Sequence, residues 1–386
     1  MSEWKKVNLG DCCEITSSKR IFFSEYVESG IPFYRSKEII EKGNGEEISH
    51  PLYISKEKYD EIKGKYGVPQ KGDLLLTAVG SLGIPFVVKD DLPFYFKDGN
   101  LVWLKHFQDI DPIFLYYWIK SENGYNALYN IAIGSAQKAL TIAAIKGYEI
   151  PLPPLQTQHR IATILSRYDS LIENYQKQIK LLEEAAQRLY KEWFVDLRFP
   201  GHENTKIVDG VPEGWTPSQL GQLAEFKRGK TITKKDVIDG NIPVVAGGLE
   251  PAYYCNKSNT AERVITISGS GANAGFTRMY FEKVWASDCS FVDVSVTPFL
   301  HFVYCYLKDN KTTIDNMQKG AAQPHVYAKD INSLGLCIPI ESILKSFEGK
   351  ISKYFDSISS LQSQLRLLTE ARNRLLPKLM SGEIEI

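Results

Sequence analysis

A run of small and polar residues, Gly269–Ser270–Gly271–Ala272–Asn273–Ala274–Gly275, follows an apolar stretch and has the composition of a phosphate-cradling loop. It fits neither G-x-x-x-x-G-K-[ST] nor G-x-G-x-x-G, and no helical pattern follows it. A shorter counterpart, Gly80–Ser81–Leu82–Gly83, occupies a similar setting, so the motif reads as a recurring turn. The six histidines (His50, His106, His159, His202, His301, His325) show no metal-ligand spacing, and His159 falls on the polar side of a helix. The six cysteines (Cys12, Cys13, Cys255, Cys289, Cys305, Cys337) include no C-x-x-C pair, so we expect no metal and read the thiols as buried and inert. Neither G-x-S-x-G, H-E-x-x-H nor a nuclease-like carboxylate pair with a following lysine occurs. The chain is expected to be no enzyme and to need no cofactor. What remains is a set of basic side chains in loops, suited to anionic groups: Arg35 and Lys37, Lys227–Arg228–Gly229–Lys230, and Lys234–Lys235.

Those side chains must be positioned by more than one core, because 386 residues exceed the usual domain size of about 50–250. Hydrophobic residues at 43% and charged ones at 24% exclude a disordered chain, a collagen-like fibre and a bare rod. The 46 basic residues balance 46 acidic ones, which argues against indiscriminate polyanion binding while allowing a local basic surface. No apolar run reaches membrane-spanning length, and the first residues lack the apolar core of a signal peptide. A cytoplasmic protein without membrane partners is expected.

The chain reads as a duplication. Trp4–Lys5–Lys6–Val7–Asn8–Leu9–Gly10 is echoed by Trp215–Thr216–Pro217–Ser218–Gln219–Leu220–Gly221, and Gly30–Ile31–Pro32 by Asn241–Ile242–Pro243 at the same offset. Further on, Gly134–Ser135–Ala136–Gln137 returns as Gly320–Ala321–Ala322–Gln323, and Tyr168–Asp169–Ser170 as Phe355–Asp356–Ser357. The shrinking offset places an extra charged stretch around Lys37–Val68 in the first copy. Each copy opens with short β-rich runs broken by Gly, Pro and Asn, such as Asp73–Val79, Asn100–Lys105 and Val264–Ser268. Helical patterns at Pro112–Ser121 and Pro298–Asp309 interrupt them.

Each copy ends in a helix with a single apolar seam. In the first, Ile161, Leu165, Tyr168, Ile172, Tyr175, Ile179, Leu182, Ala186, Leu189 and Trp193 alternate spacings of four and three. In the second, Phe347, Ile351, Tyr354, Ile358, Leu361, Leu365, Leu368, Leu375 and Leu379 do the same, broken only by Arg372. Such seams want a partner helix. The expected fold is α+β: two similar, mainly β domains separated by a pair of long antiparallel coiled-coil helices with pseudo-twofold symmetry.

The stretch Ile150–Pro151–Leu152–Pro153–Pro154–Leu155–Gln156–Thr157–Gln158–His159–Arg160–Ile161–Ala162 resembles the specificity subunits of type I restriction–modification systems. So do Leu189–Tyr190–Lys191–Glu192–Trp193–Phe194, the ending Leu375–Leu376–Pro377–Lys378–Leu379–Met380–Ser381–Gly382–Glu383–Ile384, and the duplication itself. The second copy departs from the family's I-P-L-P-P run, reading Ile338–Pro339–Ile340–Glu341–Ser342. The resemblance implies target-recognition domains at 1–154 and 199–340, with helices at 155–198 and 341–386. It implies that each domain reads half of a split, asymmetric double-stranded DNA site. It also implies as partners two modification subunits using S-adenosylmethionine and restriction subunits using ATP. Loops recurring in both copies then supply the expected DNA contacts: Arg35, Ser36, Lys37, Ser81, Gln137 and Lys138 in the first. In the second they are Arg228, Lys230, Ser270, Asn273, Gln323 and His325. Arg and Lys suit guanine or phosphate, Asn and Gln suit adenine. The alternative is an adaptor whose two β domains bind proteins.

Overall fold

A computed structural model describes residues 4–135, 137–320 and 324–386. The chain forms two compact units, residues 1–175 with 365–386 and residues 176–364. Both divisions fall inside a long helix, so each unit holds one β-rich region and a segment from each helix.

In the first unit a four-stranded antiparallel sheet runs in the order Glu14–Thr16, Leu101–Lys105, Leu74–Thr77, Pro85–Val87. The strand Leu74–Thr77 is covered on both faces, which is why it reads LLLT without alternation. A second sheet orders Tyr26–Val27, Leu52–Ile54, Ile31–Tyr34 and Tyr95–Phe96, the last pair parallel. A ribbon of Lys5–Asn8 against Glu149–Leu152 sets Val7 opposite Ile150. The helix Pro112–Lys120 begins where the Asp111 carboxylate accepts from the N–H groups of Ile113 (2.7 Å) and Phe114 (3.0 Å), with Pro112 pre-set at its first position.

The second unit repeats this plan. Its main sheet orders Lys227–Arg228, Cys289–Asp293, Val264–Ser268 and Thr277–Tyr280. Tyr253–Cys255, Ile242–Val245 and Trp285–Ala286 form the smaller one, again with a parallel last pair. Thr216–Gln219 against Gly335–Ile338 repeats the ribbon. The extra stretch of the first copy is where Ser36–Gly43 and Lys56–Tyr66 fold as helices, burying Ile39, Tyr59 and Ile62. The shrinking offset between the copies marked an insertion there but not its helices.

The long helices span Leu155–Tyr190 and Glu341–Met380. The first is fixed at its start by Gln158, fully buried. Its carbonyl oxygen accepts from the Asp111 N–H (2.9 Å), and its amide donates to the carbonyls of Pro153 (2.8 Å) and Asp109 (3.1 Å). In the first unit Ile161 and Leu165 share a core with Leu379 and Met380, and Leu375 packs against it. In the second, Ala186, Tyr190 and Trp193 share a core with Phe347, Ile351, Phe355 and Ile358, with Ile179, Leu182, Leu189 and Tyr354 alongside. Residue numbers rise along one helix as they fall along the other, so both segments pair antiparallel. Ile172 is buried, while Tyr168, Tyr175, Leu361, Leu365 and Leu368 are half-buried.

Two details correct the seam as read from spacing. Arg372 does not leave a gap: its guanidinium donates to Asp169 (2.7 Å), whose other oxygen accepts from the Tyr117 hydroxyl (2.7 Å). Burial, and then this carboxylate, push the Tyr117 phenol well above its ordinary value. Nor does the first helix stay regular to Trp193. Its last turn, Lys191–Val195, widens so that the Asp196 N–H donates to the Lys191 carbonyl (2.8 Å). That lets both Trp193 and Phe194 face inward, Phe194 lying 4.8 Å from the rings of Phe302 and Phe347.

Candidate functional site

Loops can carry variable side chains only if something else holds them, and in both units that role falls to the main chain. In the first unit the Ala78 N–H donates to the Asn100 carbonyl (2.8 Å), and the Leu140 N–H donates to the Ala78 carbonyl (2.9 Å). In the second, the Gly269 N–H donates to the Asp288 carbonyl (3.2 Å), and the Val326 N–H to the Gly269 carbonyl (3.1 Å). Ala78 corresponds to Gly269, Asn100 to Asp288 and Leu140 to Val326. This relay ties the turn after one central strand to the residue leading into its neighbour, and to a third loop.

That third loop is closed at its base. Ile133 and Ala139 exchange both backbone hydrogen bonds (2.9 and 2.8 Å), as do Lys319 and His325 (2.9 Å each). Gly134 and Gly320 begin the two loops with φ of 110° and 101°. A Cβ on Gly134 would meet the Gln137 carbonyl at 2.3 Å, so only glycine fits there.

The residues expected to contact DNA gather on these relays. In the first unit Ser36 donates its hydroxyl to the same Asn100 carbonyl (3.3 Å). Ser81 is exposed in the turn, its carbonyl accepting the Thr77 hydroxyl. Gln137 is exposed in the closed loop, and the Lys138 ammonium lies 3.6 Å above the Tyr129 ring. Lys37 is exposed, 3.6 Å from Glu41. Arg35 is the most constrained: its Nε lies 3.1 Å from the Glu38 carboxylate, which also accepts the Arg35 N–H (2.8 Å). Burial alone would raise Glu38, but the Arg35 guanidinium and backbone N–H groups hold it below the usual carboxylate range.

In the second unit Ser270 donates its hydroxyl to the Asp288 carboxylate, and the Asn273 amide to the Gly247 carbonyl (3.4 Å). These two hold the turn's shape as well as lining it. The His325 ring stacks on Tyr327 with centroids 5.9 Å apart. Arg228 and Lys230 project from the sheet edge, with Gly229 between them donating to the Cys289 carbonyl (2.7 Å). Both are exposed and form no ion pair among the described residues. Gln323 lies outside the described residues.

Sequence reasoning missed Lys19 and Arg20, the first copy's counterpart to the basic edge. Both are exposed, the Lys19 N–H donates to the Tyr95 hydroxyl (2.7 Å), and Arg20 pairs with Asp98 (2.9 Å), two residues before Asn100. The constant offset between Trp4 and Trp215 carries Lys230 back onto Lys19, and that signal could have found it.

Five cysteines are buried and Cys337 is half-buried, with burial pushing the Cys13 and Cys289 thiols up to about 12. Among the described residues no His, Cys, Asp or Glu cluster could hold a metal ion, and no helix is long and apolar enough to cross a membrane.

A family model described as the type I restriction modification DNA specificity domain matches residues 1–184 and again 212–370. The chain is 28% identical over 341 residues to the type I restriction enzyme MjaIX specificity subunit of Methanocaldococcus jannaschii, covering 82% of this chain and 78% of that one. It is 24% identical to the putative MjaX specificity subunit of the same organism, over 100% and 94% of the two chains. A crystal structure of the type I restriction–modification S subunit from M. genitalium shares the fold, with a TM-score of 0.66 at 19% identity, over 97% and 96% of the chains.

Proposed function

This chain belongs to the type I restriction modification DNA specificity domain family, and on that footing we propose that each unit reads one half of a split DNA target. The chain is a specificity subunit, directing modification and restriction subunits to DNA without catalysing either reaction. The observation that carries the division of labour is the repeated relay. The same main-chain bonds hold loops with different side chains at the same place in both units, as two readers of different half-sites require.

Target-recognition domains at 1–154 and 199–340 leave the helices at 155–198 and 341–386 for two modification subunits. In this reading S-adenosylmethionine and ATP belong to the partners, and the complex works in the cytoplasm. In this reading the side chains that touch DNA, at bases or at phosphates, are Arg35, Ser36, Lys37, Ser81, Gln137 and Lys138 at one half-site. Arg228, Lys230, Ser270, Asn273, Gln323 and His325 touch the other. The adaptor reading has no structural observation in its favour.

A gel shift on the complex with its modification subunits tests this. Retention should be selective for one duplex sequence and fall steeply with salt, and methylation mapping should return a bipartite motif. Binding that ignores both sequence and salt would remove the reading.

A further inference from the structure

The two units place the same short turn next to their candidate sites but put opposite chemistry on its tip. In the first, Phe23–Glu25 forms a single 3-10 turn; the Glu25 carboxylate accepts the Phe22 N–H (2.8 Å), and Lys58 holds that carboxylate at 2.9 Å. At the equivalent place Lys234–Asp236 forms the same turn, with Asp236 accepting the Thr233 hydroxyl. Phe22 and Phe23 thus correspond to Thr233 and Lys234, and Ser24 to Lys235.

Phe23 is 86% exposed and Phe22 61% exposed, so this unit leaves two adjacent aromatic rings in water and forgoes the stabilisation that burying them would bring. They are not slack. Phe23 rests edge-on against Tyr26 (5.6 Å), which rests on the fully buried Phe33 (5.2 Å). The turn comes one residue after Lys19 and Arg20, and the Asp98 partner of Arg20 lies two residues before the Asn100 hub. A braced apolar tip beside exposed cations fits a polyanion whose interior is apolar and stacked.

We propose that the Phe22–Phe23 turn is an apolar wedge that presses into a base step of the first half-site, while Lys234 and Lys235 grip phosphates of the second. The inference rests on the DNA-reading function and assigns its two halves different physics. Wedged side chains kink duplexes by about 20–90°. Cations on phosphates release counterions and insert nothing between base steps.

The test uses the full chain assembled with its modification subunits and duplexes carrying the motif found by methylation mapping. Phe23→Ala should weaken binding by about 10- to 100-fold, the range of one lost aromatic–base stack. It should leave the slope of affinity against salt unchanged and abolish the bend seen in circularly permuted duplexes, and Phe23→Leu should restore most of that bend. Lys234→Ala with Lys235→Ala should lower the salt slope by about 2 and leave the bend alone. Wild-type affinity and bending in Phe23→Ala would overturn the wedge while leaving the DNA reading intact. Loss of modification subunits from the Phe23→Ala complex would overturn it in favour of a protein contact. A wild-type complex with no sequence selectivity would sink the wedge and the DNA reading together.

Discussion

The two units share a scaffold but neutralise charge differently. In the first, three of the five candidate cations come with carboxylates, Arg35 with Glu38, Lys37 with Glu41 and Arg20 with Asp98, while Lys138 and Lys19 lie over the rings of Tyr129 and Tyr66. In the second, Arg228, Lys230, Lys234 and Lys235 are exposed and form no ion pair among the described residues. A cation already paired must exchange a partner to meet phosphate, so it gains little affinity but is held in one orientation. An unpaired cation gains affinity through counterion release and says little about sequence. The first unit is therefore built for geometry and the second for attraction.

The most disruptive way to probe this contrast is to remove one unit and ask what the other retains. Leu165→Asp and Phe347→Asp each place a carboxylate at a fully buried position, at a cost of about 3 kcal/mol or more. Calorimetry should show each variant losing the transition of its own unit. If both variants shift a single common transition, the units do not unfold separately.

A smaller effect is expected at the ion pair in the seam of the first unit. Arg372→Ala leaves Asp169 with the Tyr117 hydroxyl as its remaining partner, and should cost about 2 kcal/mol in that unit. Arg372→Leu, which restores the apolar pattern, should recover stability only when combined with Asp169→Asn. Additive behaviour in that cycle would show that the pair is not coupled.

Acid should separate the units next. Glu38 is held below its ordinary value in the folded state, so its stabilising contribution is complete above that value and is lost as pH falls through the folded one. Melting of the first unit should therefore drop between about pH 5 and pH 3 more steeply than in Glu38→Gln. Parallel curves for the two proteins would mean that the Arg35 pair contributes nothing.

The least destabilising test concerns salt alone. Arg228→Ala and Lys230→Ala should each flatten the salt dependence of DNA binding by a slope of about 1. Arg35→Ala should leave the slope almost unchanged while relaxing the sequence preference at one half-site. Equal slope changes in both units would erase the distinction between geometry and attraction.

Much of this architecture could be read from residue order, because duplication and seam spacing are periodic signals. The alternating fours and threes from Ile161 and from Phe347 located both helices and their pairing. Trp4 and Trp215 aligned the copies closely enough to superimpose their turns. What stayed hidden depends on contacts far apart in the chain. Nothing near Arg372 announces Asp169, 203 residues away, and Arg372 looked like a flaw in the seam. The relays through Asn100 and Asp288 use carbonyls and N–H groups, which every residue carries and no pattern marks. Side chains such as Ser81 and Gln137 could be picked out as polar loop residues, but their common anchorage could not.

That anchorage bears on how such a protein changes over generations. A loop whose base is closed by paired carbonyls and N–H groups, as between Ile133 and Ala139 or Lys319 and His325, does not consult its side chains for its shape. Substitutions at exposed positions such as Ser135 or Gln137 should then cost the fold within about 0.5 kcal/mol while changing which bases are favoured. Mutation can wander through these positions without crossing a misfolded ancestor. New targets become neighbours of old ones in sequence space, and selection is left to judge recognition alone.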